Sequence, residues 1–183
     1  MRTENLWNEK VKWSIIKREF TPRIQMDLQQ IKEPLIEDVK SIYLHGASDT
    51  GKTIYAAFLY LFYRKKMYMD AEIGQTYFIS TSELVYELKK SFDKDSDISE
   101  ADIVNKYKTC RLLVLDDFGT TIPSDWIYQV LYLIINYRYE YNLLTVFTSN
   151  LDLTELQKLF GDDRIPSRIE RMCQIIKKNK YKK

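Results

Sequence analysis

The sequence predicts a three-layer α/β fold, a five-stranded parallel sheet with helices on both faces. Three observations point to it. From residue 40 onward, short apolar runs alternate with longer segments of helical spacing, the pattern of repeated strand–helix–strand units. Arg111–Leu115 and Leu144–Thr148 read as strands buried on both faces, as in the interior of a parallel sheet. Finally, Gly46-Ala47-Ser48-Asp49-Thr50-Gly51-Lys52-Thr53 spells G-x-x-x-x-G-K-T directly after the apolar run Ser41–His45. That places a glycine-bracketed loop between a strand and a helix.

The elements follow in order. Asn5–Arg18 has Trp7, Val11 and Ile15 on one helical face, and Pro22 and Pro34 then interrupt the pattern around a short helix. Ser41–His45 is the first strand and Lys52–Lys66 the helix after the loop. Thr76–Ser80 is the second strand, and Ser82 opens a helix running to about Ser91. Asp93–Asp102 is polar and acidic, a loop leading into a short helix. Arg111–Leu115 is the third strand. Ser124–Tyr141 carries Ile127, Val130, Leu131, Ile134 and Tyr137 at helical spacing. Leu144–Thr148 is the fourth strand, Thr154–Phe160 a helix, Arg164–Arg171 a short basic helix and Cys173–Ile176 the last strand. The expected organisation is an N-terminal helical extension over 1–39, a core over 40–176 and a basic tail over 177–183.

The chain has 183 residues, enough for one domain with a substantial core. With 45% hydrophobic and 30% charged residues it has the composition of a soluble globular protein. No run approaches the roughly eighteen apolar residues of a membrane helix, and no secretory leader is evident, so a cytoplasmic location without membrane contact is expected. Cys110 and Cys173 lie in apolar surroundings and read as buried reduced thiols. His45, the single histidine, reads as structural. Lysines 177, 178, 180, 182 and 183 form a basic tail, and Lys89, Lys90, Lys94, Lys106 and Lys108 flank the acidic segment. Both groups are candidates for nucleic-acid contact.

The chemistry starts from the loop. Its glycines let the backbone wrap an anion, so that N–H groups of Gly46 to Ile54 face phosphate oxygens. Lys52 reaches the β- and γ-phosphates, Thr53 offers a hydroxyl to Mg²⁺, and the helix N-terminus adds its positive dipole. Four aliphatics, Leu112 to Leu115, then deliver Asp116 and Asp117 to the same end of the sheet. Asp116 suits metal coordination and Asp117 suits a general base acting on water. Asn150 ends the neighbouring strand, where its amide can hold that water or, alternatively, cap the next helix; Asp152 or Thr154 can cap instead. Arg164, Arg168 and Arg171 lie along a turn and short helix. An arginine there either reaches a neighbouring subunit's γ-phosphate or pairs with Asp162, Asp163 or Glu170 at the surface.

The order of these motifs resembles the AAA+ ATPases. Leu113-Val114-Leu115-Asp116-Asp117-Phe118-Gly119, Ser124-Asp125-Trp126, Tyr137-Arg138-Tyr139, Thr148-Ser149-Asn150-Leu151 and Arg164-Ile165-Pro166-Ser167-Arg168-Ile169 narrow this to the DnaC/DnaI helicase-loader group. The transposition helper IstB belongs to the same group. The resemblance covers about residues 40 to 176. It implies an AAA+ type P-loop NTPase using ATP and Mg²⁺, with Asp116 and Asp117 as Walker B and Asn150 as the first sensor. It makes Arg168 the arginine finger, assisted by Arg164. It further implies ATP-dependent self-association into a ring or helical oligomer, contact with single-stranded DNA, and a replicative DNA helicase as partner.

Three departures from the group's pattern stand out. Only about forty residues precede the core where loaders carry a helicase-binding domain. Asp49 occupies a loop position where this group usually has glycine. No helical lid follows the core, so none, or a minimal one, is expected. A phage or mobile-element origin fits so compact a chain. The main alternative is a nucleotide-gated adaptor with little hydrolysis that sequesters a helicase, loader or transposase. A small P-loop kinase fits the length but leaves the Thr-Ser-Asn and Ser-Arg-Ile segments without a role.

Overall fold

The computed structural model describes residues 20–28, 40–69, 75–93, 96–120 and 122–179, with the side chains of 65–69 left aside. The chain divides into two units, 1–37 and 38–183. In the first, α1 spans Pro22–Leu28. Its proline sits at the first helical position, where an N–H has no intrahelical partner in any case. The helix expected over Asn5–Arg18 lies outside the described residues.

The second unit holds β1 (Ile42–His45), α2 (Lys52–Met69), β2 (Thr76–Ser80), α3 (Thr81–Lys90) and α4 (Glu100–Thr109). It continues with β3 (Leu112–Asp116), α5 (Asp125–Glu140), β4 (Leu144–Ser149), α6 (Leu153–Phe160), α7 (Arg164–Met172) and β5 (Gln174–Lys177). The strands form one parallel sheet in the order β2-β3-β4-β1-β5. All carboxyl ends therefore point one way, and β1, which leads into the phosphate loop, sits beside β4.

Alternation along the strands builds two cores. Tyr43, Leu113, Leu115 and Phe147 join one apolar cluster with residues of α3, α4, α5, α6 and α7. The intervening residues Leu112, Val114 and Val146, also fully buried, point to the opposite face, where α2 packs across β1 to β4. Ala56 and Ala57 are fully buried in α2, and their small side chains allow the helix to lie close to the sheet. Three layers result.

Local chemistry sets the helix starts. Ser80, Ser99, Ser124 and Asp152 each accept a bond from the N–H three residues on, and Ser99 and Asp152 complete capping boxes with Asp102 and Glu155. Gly161 ends α6 in the left-handed conformation. Some elements differ from the sequence reading. The acidic segment ends in a ten-residue helix, α4, rather than a short one. Strands β1, β3 and β5 each begin one residue later than expected, and β3 ends on Asp116 itself.

The remaining expectations concern single residues. Cys110 and Cys173 are free and buried. His45 stacks on Tyr43 with ring centroids 6.0 Å apart, and burial lowers its pKa, so it is a neutral packing residue.

Candidate functional site

The loop between β1 and α2 is shaped by three backbone positions that L-residues rarely adopt. Gly46 has φ 145°, Asp49 φ 62° and Gly51 φ 77°. At Gly46 there is also no room for a side chain: a Cβ would lie 2.2 Å from the carbonyl oxygen of Lys178. Lys178 follows β5, and its N–H donates to His45 O at 2.7 Å. Asp49 tolerates the left-handed region better than most residues, which lets it stand where glycine is the simpler choice.

Helix α2 opens with Lys52 and has no acidic residue in its first turn. A free helix N-terminus normally attracts acids; a lysine here leaves the dipole and the open N–H groups to an external anion. Thr50, almost fully buried, donates from its hydroxyl to Ala47 O and braces the loop. Lys52 Nζ donates to Gly46 O and Ala47 O, both at 2.9 Å, and to Asn150 Oδ1 at 2.8 Å. Burial lowers the Lys52 pKa, while the carboxylates of Asp117, Asp116 and Asp49 oppose that shift. Ile54, the next loop residue named from sequence, is half-buried in the first turn.

Asp116 closes β3 with 6% of its surface exposed. Thr53 Oγ1 lies 3.0 and 3.1 Å from its two oxygens, and Thr148 Oγ1 lies 2.6 Å from Oδ1. Burial raises the Asp116 pKa; the Thr148 bond works against it, the Asp117 charge adds to it, and the Thr53 bond lowers it. Asp117 is exposed and left-handed, with φ 54°. Its N–H donates to Thr148 Oγ1 at 3.0 Å. The donor set fits the groups the sequence implies. A hydroxyl and a carboxylate at one point are the hard oxygen ligands Mg²⁺ takes, and a cationic helix start fits a polyphosphate.

Asn150 does not cap α6. Asp152 does, so the Asn150 amide is left at the strand tip, bonded to Lys52. The neighbouring residues hold it there: Ser149 Oγ donates to Phe118 O at 2.7 Å and accepts from Leu151 N at 3.0 Å. Tyr43 OH donates to Leu151 O at 2.8 Å. The structure thus brings Lys52, Thr53, Asp116, Asp117 and Asn150 to the carboxyl ends of three adjacent strands.

Arg164 and Arg168 are placed elsewhere within this copy of the chain, on the seam between α7 and α5. Arg164 forms the surface pair anticipated as its alternative, 2.8 Å from Asp162, with its guanidinium over Tyr132 and Tyr128. Arg168 bonds to Asn136 Oδ1, to Arg164 O at 2.9 Å and to Tyr132 OH at 2.9 Å, stacked 4.8 Å above the Tyr132 ring. Among the described residues, neither bonds to the loop or to Asp116. An open depression of about 640 Å³ at the α6–α7 turn is lined by Thr154, Gln157, Lys158, Gly161, Asp162 and Asp163. Its two acids suit it poorly to a polyphosphate, and it shares no residue with the cluster above.

Two further residues emerge only in three dimensions. Thr148 joins the two acids, as described. Arg138, fully buried in α5, donates to Thr145 Oγ1, Tyr107 O, Cys110 O and Leu144 O at 2.7 to 2.9 Å. It fastens the end of α4 to the starts of β3 and β4. Residue 138 stood in a motif of the resemblance, but no local signal separated a buried cation from an exposed one.

Comparison with known proteins agrees with this geometry. A family model described as IstB-like ATP binding protein matches residues 10–180. The replicative helicase loader DnaI of Bacillus subtilis (strain 168) is 30% identical over 122 residues, 66% of this chain and 36% of that protein. The chain therefore spans about a third of that relative. A DnaC helicase loader crystal structure aligns with TM-score 0.64 and 24% identity, covering 95% of this chain and 98% of that one. The replication initiator DnaA bound to AMPPCP and single-stranded DNA aligns with TM-score 0.62 and 20% identity, covering 85% of this chain and 44% of that one. The two structures show a shared fold, and among the described residues no helix is long and apolar enough to cross a membrane. With nearly the whole sequence matched and the phosphate loop and acid pair in place, the chain belongs to the family of IstB-like ATP binding proteins.

Proposed function

We propose that this chain is an ATPase that hydrolyses Mg·ATP between neighbouring copies of itself and acts on a replicative helicase as a loader or remodeller. One observation carries the reading: at the head of α2, Lys52 is already bonded to Asn150 and Thr53 to Asp116. Lys52 and the N–H groups of the first turn hold the phosphates, and Thr53 with Asp116 holds the metal. Bound Mg²⁺ supplies charge neutralisation at the phosphates. Asp117, exposed beside Asp116, takes the proton of the attacking water, and the Asn150 amide orients that water. Arg168 comes from the adjoining copy and meets the charge that develops on the transferred phosphate, with Arg164 beside it. The kinship with a replicative helicase loader supports the helicase as partner.

A pull-down of the host replicative helicase, with and without ATP, tests the loader assignment; capture that ignores both ATP and the Lys52→Ala change counts against it. Lys52→Ala is expected to abolish ATP binding, read by equilibrium titration with a fluorescent analogue. Asp117→Asn is expected to bind ATP normally and lose turnover by about 10²- to 10⁴-fold, the usual worth of a general base. Wild-type turnover in that variant would remove Asp117 from the chemistry.

A second reading, a nucleotide-gated adaptor with little hydrolysis, is favoured by Asp49. Its left-handed backbone holds a carboxylate inside the phosphate loop, and its charge is felt at Lys52. ATPase activity that rises with protein concentration and single-stranded DNA supports the loader; activity that stays flat supports the adaptor. For DNA contact, Lys89 and Lys90 are exposed at the end of α3. Lys106 instead pairs with Glu87 and covers Tyr77 and Tyr107, and Lys108 covers Tyr137. Lys94 lies outside the described residues.

A further inference from the structure

Thr148 lies on β4, whose register sets Leu115 opposite Phe147, so that Thr148 stands beside Asp116 one step further on. It is fully buried. Its hydroxyl faces two partners of opposite demand. Asp116 Oδ1, at 2.6 Å, belongs to a carboxylate and accepts; the Asp117 N–H, at 3.0 Å, donates. The polarity is therefore fixed: the hydroxyl gives its hydrogen to Asp116 and takes the Asp117 N–H on a lone pair. The second contact falls on a residue with φ 54°, a left-handed backbone state that is uncommon outside glycine, although aspartate takes it more readily than most. Phe118 N–H donates to Thr148 O at 2.7 Å, so the same residue also grips the turn from its main chain.

Asp116 has few ways to turn. Thr53 approaches both of its oxygens, and Thr148 holds one of them from the sheet side. A carboxylate gripped on both sides presents a fixed edge to whatever Thr53 also touches. Asp117, through its N–H, is aimed by the same oxygen atom.

We propose that Thr148 is a positioning residue whose single hydroxyl locks the metal-facing carboxylate of Asp116 and the left-handed turn at Asp117 into one geometry. It touches neither nucleotide nor metal and acts through the two acids. This rests on the reading of the cluster as a Mg·ATP site. Ordering of this kind around metal ligands is worth about 10- to 100-fold in metal affinity or activity.

The test uses the full chain as wild type, Thr148→Val and Thr148→Ser. Valine keeps the branched shape that suits a buried strand and removes the hydroxyl; serine keeps the hydroxyl and removes the methyl. The first readout is binding of a fluorescent ATP analogue with and without Mg²⁺. Thr148→Val is expected to bind as wild type does without Mg²⁺ and to lose about 10-fold or more of the tightening that Mg²⁺ brings. The second readout is turnover against Mg²⁺ concentration, where kcat falls and the Mg²⁺ requirement rises while KM for ATP at saturating Mg²⁺ stays near wild type. Thr148→Ser is expected to restore both. Unfolding midpoints check folding, and Thr148→Ala, which adds no bulk, is read the same way if the valine variant does not fold.

Unchanged Mg²⁺ dependence in Thr148→Val overturns the inference, as does a serine variant that behaves like the valine one, because packing and not the hydroxyl would then be responsible. A wild-type chain whose nucleotide binding ignores Mg²⁺ overturns the Mg·ATP reading itself, and this inference with it.

Discussion

Replacing Arg168 with alanine is expected to lower ATP turnover by about three to five orders of magnitude, the range an arginine finger supplies, while nucleotide binding by the same chain stays at the wild-type level. The structure gives the physical reason for separating the two effects. Arg168 is bonded to Asn136, Tyr132 and the Arg164 carbonyl on the α5–α7 seam, and none of its contacts reaches the loop of its own chain. These bonds use three of the five N–H groups a guanidinium carries, which fixes its plane and leaves a pair of donors for an incoming phosphate. Lysine at this position is not expected to restore activity, since a point charge reproduces neither the stacking on Tyr132 nor the forked donors. Truncation also removes local bonds, so the unfolding midpoint is measured alongside turnover. The decisive experiment mixes Arg168→Ala with Lys52→Ala chains. One supplies an intact loop and the other an intact arginine, so turnover is expected to return in the mixture. Full turnover in the single Arg168→Ala variant, or no recovery on mixing, would remove the shared-site assignment.

Replacing Arg138 with methionine is expected to cost about 3–5 kcal/mol of stability, since several buried acceptors lose their donor at about 1–3 kcal/mol each. That is about 10 °C in the unfolding midpoint for a chain of this size. The side chain has no exposed surface, and its hydrogen bonds go to a hydroxyl and main-chain carbonyls rather than to a carboxylate. Its charge is instead spread over main-chain carbonyls of Tyr107, Cys110 and Leu144, two of them at the end of α4, where a helix dipole favours a cation. Burial lowers its pKa, yet a guanidinium keeps its proton at any working pH. Methionine fills much of the volume and leaves those carbonyls and the Thr145 hydroxyl facing an apolar group. Thermal and denaturant unfolding check the magnitude; a loss below about 1 kcal/mol would mean that water or a shifted strand satisfies the carbonyls instead.

These two arginines mark where reading the sequence stops. The sheet was legible because Leu112 to Leu115 is an uninterrupted aliphatic run and Leu144 to Phe147 carries apolar residues on both faces, as doubly covered strands do. The loop was legible because its glycines, lysine and threonine sit between a strand and a helix. Helix α4 was underestimated because only Ile103 and Tyr107 of its ten residues are buried, a stripe too narrow to stand out from a polar loop. Arg138 reads as one more surface cation until three segments distant in sequence are brought around it. Thr148 needs the register of β3 against β4, which no local pattern carries. Arg164 and Arg168 were open between surface pairing and catalysis. Within the chain, Arg164 has an acidic partner and Arg168 neutral ones.

The contact between Gly46 and the backbone of Lys178 has a mechanical side. Lys178 is tied to His45 by its N–H, and its carbonyl rests where any Cβ at Gly46 would have to be. The segment after β5 is thus fastened by one bond to the end of β1 and leaves room only for glycine at the opening residue of the phosphate loop. A side chain at residue 46 would have to displace that segment, so glycine there leaves both the loop and the end of the sheet in place.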